Sequence, residues 1–162
     1  MKKNAEEFLF NEAIKYLGKY PATKKKIGEY LQKKIRNKKI YLKIIFPENI
    51  EKDILIKNII SKLDELKIIN ELHYLESMFH YYQKSFFSIR KIKNKLYQKG
   101  FDNRDIDDFI SYKLQEDSDL ELKILKKYIH KKRYENLEVT ELKKKLYQQN
   151  FSEDSIYKLI KE

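Results

Sequence analysis

The string KLYQKGF at 95–101 returns as KLYQQNF at 145–151. The agreement runs well past seven letters. In the first copy Ile92, Leu96, Phe101, Ile106 and Ile110 are apolar, and in the second Leu142, Leu146, Phe151, Ile156 and Ile160 stand at the same offsets. Residues four apart share one face of a helix, so 92 and 96, like 142 and 146, predict a helix entering the phrase. Gly100 and Asn150 are the residue types that most readily adopt the left-handed conformation ending a helix. The Phe that follows is then placed to fold back on the last turn. Asp102 or Asn103, and Ser152, suit the N-cap of the next helix. The phrase is therefore a helix–cap–helix instruction, used twice.

A leading helix precedes each copy. Residues 71–83 set Leu72, Leu75, Phe79 and Tyr82 on one stripe, and 118–132 set Leu122, Leu125 and Ile129 likewise. Each unit is then three helices, too short to bury a sufficient core without stacking on neighbours. The first 70 residues read as a looser third copy. Its helices run over 5–18 (Leu9, Ala13 and Leu17 inward), 23–36 (Ile27, Leu31) and 50–67 (Ile56, Ile59, Leu63, Leu66). The expected fold is all-α: nine helices in three tandem three-helix repeats, 1–70, 71–116 and 117–162, stacked into an elongated, curved array. An irregular insert at about 37–50 interrupts the first repeat, as either a loop or a short extended piece.

Composition supports helices. Three Gly and two Pro in 162 residues leave few tight hairpins. Without Cys there is neither a disulfide framework nor a thiolate metal site. The first residues lack the apolar core of a signal peptide, and no run is long and apolar enough to span a bilayer. A cytoplasmic monomer with no membrane partner is the expectation.

The formal charge is +11, and only four of the 36 Lys and Arg are Arg (36, 90, 104, 133). Base-reading proteins favour the Arg fork, whereas lysine-dominated charge fits phosphate attraction or plain solubility. Lys, Ile, Asn and Tyr also share A/T-rich codons. Locally, Lys84 to Lys99 holds Lys84, Arg90, Lys91, Lys93, Lys95 and Lys99 and no acid. Lys131, Lys132 and Arg133, and then Lys143, Lys144 and Lys145, continue the theme, and Lys24 to Lys43 holds nine basic residues with one acid, Glu29. One reading is a solvated helix face. The other is a basic stripe along the concave side of the repeats that binds a partner or DNA phosphates, with Tyr81, Tyr82, Phe86 and Phe87 beside it.

Catalytic patterns are missing from the sequence. There is no Gly-rich phosphate loop, HExxH or Ser/His/Asp order. His73 and His80 share a helix face, but no acid completes a metal shell with them. Asp102, Asp105, Asp107 and Asp108 cluster where a helix N-terminus favours negative charge. No enzyme activity, cofactor or metal is expected.

Three stretches resemble the RecX family of bacterial RecA regulators. Residues 59–71, IISKLDELKIINE, are similar to the family's junction of first and second repeats, although Asn70-Glu71 replaces its usual pair of acids. Residues 90–101, RKIKNKLYQKGF, resemble its basic-Ile-basic-xx-Leu-xxx-Gly segment, and 142–151 repeats it. The likeness covers 60–162 well and 5–36 weakly, and residues 37–50 have no counterpart. It implies a curved helical modulator lying in the groove of the RecA–DNA filament, lowering ATP hydrolysis and recombination in DNA repair and the SOS response. A stand-alone, non-specific nucleic-acid-binding protein is the alternative.

Overall fold

The computed structural model describes residues 2–161. Among them are ten helices and two two-residue strands, so the chain is all-α in class. Packing divides it into two compact units, one ending at Tyr74 and the other beginning at Leu75.

The first unit runs β1 (Lys3–Asn4), α1 (Ala5–Leu17), α2 (Lys24–Arg36), α3 (Lys38–Tyr41), β2 (Ile44–Ile45) and α4 (Lys52–Glu65), and reaches the first turn of α5 (Glu71–Lys84). Side-chain oxygens start both α1 and α2. Asn4 Oδ1 accepts from the Glu6 N–H at 2.8 Å, and Thr23 Oγ1 from the Lys26 N–H at 3.2 Å. The apolar stripes of α1, α2 and α4 then close on one another. Leu9, Ala13, Ile27, Leu31, Ile59 and Leu63 are all buried in one core. The insert is extended only in part, and it also forms a helical turn that neither expected form included. Asn37 caps a single helical turn, α3, and the chain then extends as β2. That strand pairs in parallel with β1, Lys3 opposite Ile44, and the Lys3 N–H donates to Lys43 O at 3.0 Å. The turn α3 is the helix that a count of nine omits.

The second unit holds the remainder of α5, then α6 (Ile89–Lys99), α7 (Asn103–Glu116), α8 (Leu120–Lys132), α9 (Val139–Gln148) and α10 (Glu153–Lys161). Leu75, Phe79, Ile92, Leu96, Ile106, Ile110, Leu122, Leu125, Ile129, Leu146 and Ile156 are buried, as the repeated offsets and the leading stripes predict, whereas Leu142 and Ile160 at the same offsets are half-buried. Gly100 takes φ 98° and Asn150 φ 62°, both left-handed. Each turn closes with the paired bonds of a Schellman cap. The Gly100 N–H donates to Tyr97 O and the Phe101 N–H to Leu96 O; the Asn150 N–H donates to Tyr147 O and the Phe151 N–H to Leu146 O. Phe101 and Phe151 are buried against those turns.

Two stripe residues depart from expectation. Leu66 is 56% exposed because α4 ends at Glu65 and the chain reverses at Lys67, so Ile69 fills the core instead. Leu72 is 69% exposed. Helical side chains lean toward the helix N-terminus, so in the first turn of α5 its side chain projects past the helix start.

Candidate nucleic-acid interface

Helix α6 carries most of the expected site, and its start is fixed from below. The buried Ser88 caps it, accepting the Lys91 N–H at 3.3 Å and donating to Gln149 O at 2.8 Å. Glu121 of α8 is 7% exposed and accepts the Ile89 N–H at 3.0 Å with one oxygen. Its other oxygen accepts the Ser152 N–H at 3.2 Å, the Ser155 hydroxyl at 3.0 Å and, at closer range, the Ser152 hydroxyl. One carboxylate thus occupies the positive ends of both α6 and α10. Those helix starts are filled by the protein itself and are closed to an outside anion.

From that start, the cations of α6 divide between two flanks of the helix. Lys91, Lys95 and Lys99 follow one another at intervals of four along one side, whereas Arg90, Lys93 and Tyr97 lie along the other. On the second flank, Lys93 pairs with Asp107 at 2.7 Å, an acid of the cap cluster on α7. Arg90 and Lys93 line a cleft of about 760 Å³ together with Tyr147, Glu121, Glu153 and Asp154. The carboxylates make that cleft mixed in charge.

The first flank is different. At the end of α5, Phe86 takes φ 58° and the Phe87 N–H donates to Tyr82 O at 3.3 Å. This cap presents two adjacent aromatic rings. Lys91 Nζ stands 4.4 Å from the Phe87 ring centre and Lys131 Nζ 5.2 Å from that of Phe86. Tyr82 stacks beneath Phe87 at 5.8 Å, with planes 14° apart. Lys91 also donates to Gln149 Oε1 at 3.1 Å, which orients its ammonium. The turn therefore brings together cations forty residues apart in the chain.

Of the other expected residues, Lys84 and Lys132 are exposed near the C-termini of α5 and α8, where the helix dipole favours cations. Arg133 forms the left-handed cap of α8 at φ 57°. Lys143 and Lys144 are exposed on α9. Among the described residues Arg90, Lys95, Lys99, Lys132, Lys143 and Lys144 have no ion pair, and no side-chain contact joins Lys143 or Lys144 to the Phe86–Phe87 pair. Lys145, by contrast, pairs with Glu141 at 3.5 Å and stands over Tyr134. In the first unit Lys24, Lys26 and Lys34 pair with Asp64, Glu29 and Glu12. Sequence reasoning missed those pairs because only Glu29 lies nearby in the chain.

The described residues form capped helices with cations seated on aromatic rings, and among them no group of His or acids could hold a metal. No family model and no curated protein sequence matches the chain. Solved structures do. A crystal structure of RecX from Lactobacillus salivarius superposes with a TM-score of 0.70 at 23% identity, over 97% of this chain and 95% of that one. A crystal structure of regulatory protein RecX gives 0.68 at 22% identity, over 97% of this chain and 71% of that one. The chain has the RecX fold.

Proposed function

We propose that this protein is a monomeric, cytoplasmic regulator of homologous recombination that binds the RecA–DNA filament and inhibits its ATPase and recombinase activity. The agreement with RecX structures over 97% of the chain carries the reading. The Phe86–Phe87 turn with Lys91 and Lys131 is the suggested contact for filament phosphates. Lys84, Lys95, Lys99, Lys132, Arg133, Lys143 and Lys144 steer the protein toward a polyanion. Arg90 and Lys93 face acids and suit a protein surface of the filament better than naked phosphate. The test is RecA ATP hydrolysis on single-stranded DNA, titrated with this protein. Progressive inhibition at low micromolar concentration is expected, and an unchanged rate at a molar excess over RecA overturns the proposal.

Lys95, Lys99, Lys132, Lys143 and Lys144, without an ion pair among the described residues, also favour a second reading, direct non-specific binding of single- or double-stranded DNA with no filament partner. Equal affinity for naked and RecA-coated DNA would decide for it.

A further inference from the structure

The repeat pattern does not account for the insert at 37–50. In the structure it returns to the N-terminus and makes a recess there. Parallel pairing of β2 with β1 engages Lys3 with the residues on either side of Ile44, which leaves the Ile44 peptide groups directed away from β1. Between the strands and helices α1 and α3 lies a cleft of about 690 Å³. Phe8, Ile40, Leu42 and Ile44 supply its apolar lining and Lys2, Lys3 and Lys43 its charge; among the described residues no acid lines it. None of these three lysines makes an ion pair among the described residues. Leu42 is 64% exposed, and Ile45 and Tyr41 are exposed beside it.

A concave apolar floor ringed by unpaired ammonium groups has a definite complement. Nucleic acid satisfies the lysines but leaves the floor wet, and a purely apolar segment leaves the lysines unpaired. We infer that this cleft docks a peptide segment of a partner protein, one that seats an apolar side chain in the recess and presents flanking carboxylates to Lys2, Lys3 and Lys43. The surface is separate from the Phe86–Phe87 turn, and the inference stands independently of the recombination reading.

The experiment is fluorescence anisotropy with the full chain and a labelled peptide of sequence Asp-Glu-Leu-Phe-Asp-Glu. Two control peptides replace Leu-Phe by Ser-Ser, or the four acids by Lys. The acidic apolar peptide is expected to bind saturably, and each control at least about tenfold more weakly. Lys43→Glu and Leu42→Asp, both at exposed positions that fold without them, should each weaken binding by a similar factor, with unchanged circular dichroism. Lys143→Glu should have no effect. Three results overturn the inference: no saturable binding of the acidic apolar peptide, equal binding of the Ser-Ser control, or Leu42-dependent sedimentation with phosphatidylglycerol vesicles in place of peptide binding. The RecA ATPase titration is not involved, so a failure there leaves this result readable.

Discussion

Glu121 is where a single side chain does most. Burying a carboxylate is costly unless its lone pairs are met, and here three hydroxyl or amide donors from the 152–155 turn join the Ile89 N–H. Glu121→Ala strands those donors in a buried place, and urea titration should show a loss of about 3 kcal/mol, with a smaller loss for Glu121→Gln. Nothing in the chain near Glu121 signals this role, since an acid in the first turn of α8 reads as a favourable partner of the helix dipole. In the first unit Glu12 and Lys34 meet at 2.6 Å, with the Tyr30 hydroxyl on the same carboxylate oxygen. The hydrogen bond from Lys34 holds the Glu12 carboxyl below its ordinary range, and the same bond raises Lys34. A lowered carboxyl contributes stability above its unfolded value and loses it as pH falls through the folded one. A raised amine contributes below its unfolded value and loses it as pH rises through the folded one. Lys34→Met should therefore cost about 1 kcal/mol at neutral pH and flatten the acid limb of a plot of urea midpoint against pH.

At the level of helices, endings matter more than beginnings. Five helix ends reverse through a left-handed residue followed by an apolar one: Lys67 before Ile68, Phe86 before Phe87, Gly100 before Phe101, Arg133 before Tyr134 and Asn150 before Phe151. All five show the same closing bond, from the second residue back to the carbonyl five positions earlier. Two of the five were legible because Gly and Asn announce the conformation. Lys67, Phe86 and Arg133 do not, since an L-residue there is strained and residue type carries no signal. The usable clue was the apolar residue one position later. Relief of that strain is measurable. Lys67→Gly, at an exposed position, should raise stability by about 1 kcal/mol in thermal melts, and Gly100→Ala should lower it by about the same amount. Equal melting temperatures for both variants would contradict the cap assignment. The same reversal explains why Leu66 leaves the core, which an unbroken helical pattern through 67 misplaces.

For the molecule as a whole, charge and fold were legible to different degrees. The all-helical class followed from periodicity and the scarcity of Gly and Pro, because helices are encoded locally. Which lysines remain free was not, because their carboxylate partners lie far off in the chain: Asp64 for Lys24, Glu12 for Lys34, Asp107 for Lys93. A net +11 therefore overstates the anion-binding surface. If Lys91 and Lys131 touch phosphates, Lys91→Ala with Lys131→Ala should lower single-stranded DNA affinity at all sequences. The slope of log K against log salt should then become shallower by roughly 1 to 2 units. Lys24→Ala should leave that slope unchanged. The shared grip of Glu121 on Ile89 and Ser152 has a wider consequence. The helix that enters the first phrase and the turn that leaves the second are latched to each other through one acid, so a rupture at either end strands donors at the other.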